Sequence, residues 1–391
     1  MAEMHTDWRE IDGVATAWFD AASLVEGAML AGRLVELAPG ILVDLRPTGM
    51  QVRLSQEEHA EAVSEAARDL GFAANPAALQ RLSVVVESAN PSSVVPFWQD
   101  VLDYAPGQDG DLSDRLRRDP AIRIRGSSDP RPLRNRIHLD VSRPAAEVEQ
   151  ANLGEGSGPY GVRHADLEGN EVDVVPGSPL GEGMGVADWQ AVFSAMACYR
   201  TTSPTQQRDL VAAVAALADD AGFPLLIDRR PGLLVIDSGK DQWENEAHGL
   251  ELDFTDLAAN IQSTARDLGA AADLGLPRFV QLFFDAADVA SVRAFWVAAL
   301  GYEPDPRAGV SDICDPRRLN PVLVFQELDP SETERRRQRN RVDVELAVPS
   351  DLARTRLATA LAAGGRLLEE SPDRWRVADP EGNELVIVGR A

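Results

Sequence analysis

This chain repeats itself. "ARDLG" occurs at Ala67–Gly71 and again at Ala265–Gly269, and Phe97-Trp98 returns as Phe295-Trp296, both at an offset of 198. Asn135-Arg136 returns as Asn340-Arg341 at an offset of 205, and "EGNE" at Glu168–Glu171 returns as Glu381–Glu384 at 213. Nearer the start, "DLRP" at Asp44–Pro47 matches "DRRP" at Asp228–Pro231, offset by 184. The order is kept while the offset climbs, as loop insertions would make it. The 391 residues therefore read as a tandem duplication, with copies of about 190 residues each.

Each copy has two parts. The front part opens with a segment whose apolar residues Leu24, Ala28, Ala31, Leu34 and Val35 fall at helical spacing. Two short strands follow, "ILVDL" and "MQVRL", joined by the turn "RPTG". A second helix then runs to Gly71, a residue suited to a helix C-terminus. Copy two repeats this with "RDLVAAVAALADDAG", "LLIDRRPGLLVID" and "DLAANIQSTARDLG". The back part is strand-rich: "LSVVVES", a helix through Phe97-Trp98, "AIRIRGS", "NRIHLDV" and "GVRHADLEGNEVDVV", mirrored in copy two from "FVQLFFD" to "WRVADPEGNELVIVG". The expected fold class is α+β, with front parts at 1–78 and 188–275 and back parts at 79–177 and 276–391. The linker at 178–187 lies in the Gly/Pro-rich stretch Val175–Trp189.

Charge and composition narrow the partners. The formal net charge of −25 repels phosphate backbones and anionic lipid, so neither nucleic acid nor membrane is expected. The first ten residues lack a basic region followed by an apolar run, and no apolar run reaches the length of a membrane span, which leaves a cytoplasmic location as the default expectation. Cys198 and Cys314 form no CxxC pair. Only five histidines, His5, His59, His138, His164 and His248, are present to serve any imidazole chemistry.

The back parts resemble the glyoxalase-like branch of the vicinal oxygen chelate superfamily. The resemblance rests on "FWQDVLDY" and "FWVAALGY", on "NRIHLD" and "NRVDVE", and on the closing turns "DLEGNE" and "DPEGNE", in the same order twice. It implies that each back part folds as two βαβββ modules forming one cup, with a divalent metal held by the first and last strand of each module. Carried over by motif, the four positions of copy one are Ser83, Arg123 or Arg125, His138 and Asp173. Those of copy two are Gln281, Gln326 or Glu327, Asp343 and Val386. Neither copy holds a full donor set, since serine is a poor ligand and arginine is always cationic. The front parts more weakly resemble the pterin-4a-carbinolamine dehydratase fold through the "DLRPTG" hairpin. The histidine pair of that family is replaced by Leu37-Ala38 before Pro39, and "FPLLID" in copy two also lacks histidine.

The resemblance makes His138 and Asp173 the candidate catalytic and metal-binding pair, with copy one the cup expected to do chemistry. Gln281, Asp343 and Gln326 are candidate ligand-binding residues. Trp98 and Trp296 join them, although their place on amphipathic helices also reads as core anchoring. Gly169-Asn170 and Gly382-Asn383 read as tight-turn residues, with Glu171 and Glu384 structural or solvated. The run "ERRRQRNR" at Glu334–Arg341 reads as a solvated loop or an anion clamp. The expected function is binding of a small organic molecule in a cupped sheet without a complete metal site. A metal-dependent lyase, isomerase or dioxygenase acting at one copy is the alternative, and a 4a-hydroxytetrahydrobiopterin dehydratase ranks third. A divalent metal is the one cofactor left open, and a homodimer the one protein assembly.

Overall fold

The computed structural model describes residues 6–38, 40–107 and 110–390, with only the backbone of Arg390. Pro39 and His5 thus lie outside the described residues. The structure is mixed helix and sheet and divides into two compact units. Unit one comprises residues 1–79, 143–145 and 176–278, and unit two comprises residues 80–142, 146–175 and 279–391. Among the described residues no helix is long and apolar enough to cross a membrane.

Unit one holds the two front parts. The expected helices form at Leu24–Leu37, Ala60–Asp69, Pro204–Ala221 and Phe254–Asp267. Ser23 starts the first by accepting a hydrogen bond from the Glu26 amide at 3.2 Å. The hairpins also form: Leu42–Arg46 pairs with Gly49–Leu54, and Leu226–Arg230 with Leu233–Asp237. Each turn thus leaves two residues, Pro47-Thr48 and Pro231-Gly232, outside the ladder. Two separate small sheets were expected, but Leu42–Arg46 pairs antiparallel with Leu226–Arg230 and makes one. Both strands carry an acid and an arginine at matching places, so Arg46 meets Asp228 at 2.8 Å and Arg230 meets Asp44 across the join. These buried charges require partners; Arg53 of the same hairpin also reaches Asp44 at 2.8 Å, and the fused sheet adds the pairs of Arg46 with Asp228 and of Arg230 with Asp44.

Unit two holds the back parts in two sheets. The order of the first sheet is Arg366–Ser371, Arg374–Ala378, Glu384–Arg390, Val342–Pro349, Arg81–Ser88, Ala121–Gly126, Leu112–Ser113 and Ala105–Pro106. The second runs Arg163–Ala165, Glu171–Pro179, Ile137–Pro144, Phe279–Ala286, Leu323–Glu327, Ile313–Cys314 and Glu303–Pro304. This corrects the expectation that each copy closes its own cup, because the strand Arg81–Ser88 does not share a sheet with the strand of His138. Instead, Val84 pairs with Val344 and Leu139 pairs with Leu282, so each sheet joins half of copy one to half of copy two.

The physical reason lies in the two crossing segments. The Arg136 amide donates to Asn340 Oδ1 at 2.9 Å, and reciprocally the Arg341 amide donates to Asn135 Oδ1 at 2.8 Å. Asn135 Nδ2 then donates to Asn170 at 3.0 Å, and Asn340 Nδ2 to Asn383 at 2.8 Å. Arg341 reaches the Gly169 carbonyl of copy one, and Arg136 the Glu381 carbonyl of copy two. The asparagine side chains and the Arg136 and Arg341 amides are buried, the two carbonyl contacts are half-buried, and each bond between copies exists only in the exchanged pairing.

The repeated closing turns are explained by the same network. Asp166 accepts from the amides of Glu168 and Asn170, from Asn170 Nδ2, and from Trp98 Nε1 at 3.1 Å. Asp379 repeats the pattern with Glu381, Asn383 and Trp296 Nε1 at 3.0 Å. Gly169 and Gly382 adopt φ of +77° and +87°, where a side chain would be strained. The apolar faces of both sheets and three helices, Pro91–Leu102, Val289–Leu300 and Ser350–Ala362, share one core that includes Val84, Trp98, Leu282, Trp296 and Leu357. The candidate donors His138, Gln281, Ser83 and Asp343 lie on the other face of their sheets.

Candidate metal and ligand site

Exchange of the halves regroups the candidate donors. His138 and Asp173 of copy one lie in the second sheet beside Gln281 and Gln326 of copy two. Ser83, Arg123, Asp343 and Val386 lie together in the first sheet. Each copy looked incomplete because its donors are divided between two cups.

In the second sheet, Leu139 and Leu282 turn into the core, and strand alternation turns His138, Asp140, Gln281, Phe283 and Asp285 to the opposite face. His138 and Asp140, two residues apart, project side by side. His138 Nε2 lies 3.5 Å from Asp140 Oδ1, and Gln281 Nε2 donates to Asp140 Oδ2 at 3.3 Å. The imidazole stacks on Phe283 with centroids 5.3 Å apart. Asp173 enters from the neighbouring strand, and one donor atom each of His138, Asp140 and Asp173 lies within 4.8 Å of the others. Among the described residues, His138 Nδ1 and Gln281 Oε1 are buried without a hydrogen-bond partner. Burial lowers the imidazole pKa, opposed by the charges of Asp285, Asp173 and Glu171, so His138 favours the neutral, ligating form.

These residues fit a divalent cation. One imidazole and two carboxylates are a hard-to-borderline donor set, and the Gln281 amide oxygen is a further neutral donor. Asp140 escaped the sequence reading, which stopped at the motif positions. The alternation in "IHLDV" places it on the same face as His138.

The first cup is built differently at matching positions. Asp343 stands where the second cup has His138, and Oδ2 of Asp343 accepts from Arg376 Nη1 at 3.1 Å. Arg339 binds Glu87 at 2.7 Å and Glu384 at 2.7 Å, while Arg374 binds Glu345 at 2.6 Å. Guanidinium groups thus neutralise the carboxylates from within, and a metal ion there would meet fixed positive charge. Burial, with the charges of Glu384 and Glu87, pushes the Asp343 carboxyl up to about 7 despite both guanidiniums.

The remaining candidates have other surroundings. Gln326 donates to Asp285, which also accepts from Arg335. Trp98 and Trp296 are fully buried in the core, hydrogen-bonded to the closing turns. Glu171 accepts from Arg134 at 2.6 Å, and His164 sits on the short strand Arg163–Ala165. The arginine run is divided, with Arg337 solvent-exposed while Arg335, Arg339 and Arg341 are held in ion pairs and hydrogen bonds. Arg335 serves the second cup, Arg339 the first, and Arg341 the crossing network.

Several solved proteins are similar to this chain at low identity. Maize (Zea mays) glyoxalase I is 10% identical over 80% of this chain and 92% of its own, with a TM-score of 0.39. The cppA protein of Streptococcus pneumoniae is 10% identical over 79% of this chain and 98% of its own, with a TM-score of 0.35. A glyoxalase-related enzyme from Fulvimarina pelagi is 20% identical over 28% of this chain and 84% of its own, with a TM-score of 0.22. No curated protein matches. The model of the glyoxalase-like domain matches twice, at residues 83–175 and 281–388, together just over half of the sequence. The chain therefore belongs to the glyoxalase-like domain family.

Proposed function

We propose that this protein binds a small organic molecule at a divalent cation held in the second cup by His138, Asp140 and Asp173, with Gln281 as a further donor. The observation that carries this reading is the convergence of three donor atoms within 4.8 Å. A cation there would polarise ligand oxygens as a Lewis acid. The protein's own contribution is to orient donors and hold protons. Gln281 fixes Asp140, and stacking on Phe283 fixes the imidazole plane. The first cup acts as a structural counterpart whose arginines occupy the cation's place. The front parts serve as a dehydratase-like scaffold without its chemistry, because the expected histidine positions are leucine and alanine. No carbinolamine dehydration is expected.

Elemental analysis after loading with Zn²⁺, Mn²⁺ or Ni²⁺ tests the reading. One ion per chain is expected in the natural protein and in Asp343→Asn, and none in His138→Ala or Asp173→Asn. Two ions per chain, or an ion indifferent to His138→Ala, would refute it.

A further inference from the structure

The second cup has an apolar wall beside its donors. Cys314, Val322 and Val324 form a cluster separate from the main core, with the half-buried rings of Phe279 and Phe283 packed against it. Phe279, Gln281 and Phe283 alternate along one strand face, and Phe283 pairs with Val324 on the next strand. The amide of Gln281 is therefore flanked by two phenyl rings. From the donors, the face runs unbroken onto hydrocarbon.

The first cup is an internal control for whether the fold requires this wall. At the matching positions it carries Arg81 for Phe279, Val85 for Phe283, Ala121 for Val322 and Arg123 for Val324. Ser113 takes the place of Cys314. The same sheet thus closes with two arginines and a serine where the second cup has phenylalanine, valine and cysteine. At three of the five positions, those of Phe279, Val324 and Cys314, folding does not demand an apolar side chain, so their apolar character calls for another cause. The apolar wall also lies outside the shared core, on the donor-bearing face.

We propose that the ligand of the second cup carries its donor atoms on an aromatic or branched apolar body, and that Phe279, Phe283, Val322, Val324 and Cys314 select for that body. The inference rests on reading this cup as the ligand site. A peptide-like or sugar-like body is disfavoured, because its polar groups would lie against carbon and lose hydrogen bonds to water. A flat ring gains contact with Phe279 and Phe283 in stacked or edge-on geometry.

Acetohydroxamic and benzohydroxamic acids present the same adjacent oxygens and differ in carrying a methyl or a phenyl group. Their affinities are measured by calorimetry on the full chain, both loaded with Zn²⁺ and stripped with chelator. Benzohydroxamate is expected to bind at least tenfold more tightly than acetohydroxamate. The ratio is expected to fall below threefold in Phe279→Ser and in Val324→Thr. A ratio near one in the natural protein, or a ratio unchanged in both variants, would overturn the proposal. Should either variant fail to fold, the ratio in the natural protein still decides. Failure to take up metal would refute the cation reading alone, and the phenyl preference would then be decided on the stripped protein.

Discussion

Asn340→Ala tests the exchanged pairing at its most exposed assumption. Asn340 is 2% solvent-accessible, and its side chain makes one bond to each copy. Its Oδ1 accepts from the Arg136 amide of copy one at 2.9 Å, and its Nδ2 donates to Asn383 of copy two at 2.8 Å. Alanine leaves a buried amide and a buried carbonyl oxygen unpaired. Each such group costs about 1–3 kcal/mol, so a loss of about 3–4 kcal/mol is expected. Asn135→Ala should cost less, about 1–3 kcal/mol, because the Arg341 amide loses its acceptor while Asn170 Oδ1 still accepts from Arg341 Nε at 2.8 Å. The assay is equilibrium urea unfolding, with Arg337→Ala as an exposed reference expected to change stability by less than about 0.5 kcal/mol. The double variant Asn340→Ala/Asn383→Ala should show a coupling of about 1 kcal/mol or more, since the two share one bond. A loss below about 1 kcal/mol for Asn340→Ala, or no coupling, would refute the view that the crossing segments hold the halves in place.

Two further outcomes follow from the same structure. Asp343 is a carboxyl whose folded pKa is raised to about 7 from 3.8, so the folded state binds its proton more tightly than the unfolded state does. Stability from this group is therefore present below about pH 4 and declines as pH rises to about 7, by up to about 4 kcal/mol; comparing thermal unfolding of the natural protein and Asp343→Asn across that range should show a steeper decline in the former, since the raised carboxyl of Asp379 acts in both. Gly49→Ala places a Cβ 2.4 Å from the Phe19 carbonyl oxygen and 2.6 Å from the Trp18 ring, at φ +155°. It should cost about 2 kcal/mol or more in chemical unfolding, and a change within about 0.5 kcal/mol would contradict the tight approach of these strands.

Local features of the chain were legible in one dimension. The duplication, the hairpins after Arg46 and Arg230, the helices and the Gly169 and Gly382 turns depend on neighbours a few residues apart, and period and turn chemistry report those directly. The placement of His138 beside Asp173 was legible too, because both lie on strands of one module. The partner of each module was not. The two copies carry the same apolar alternation, so a strand such as Arg81–Ser88 meets equal hydrogen-bonding ladders in either copy, and pattern alone cannot rank them. Buried bonds between Asn135, Arg136, Asn340 and Arg341, some two hundred residues apart, decide that choice. That choice in turn determines which donors share a cup. It brings Gln281 to Asp140 and gives Asp343 to the arginines. The loss of the final acid at Val386 then has a plain cause: that position lies in the cup whose charges are already neutralised by Arg339, Arg374 and Arg376.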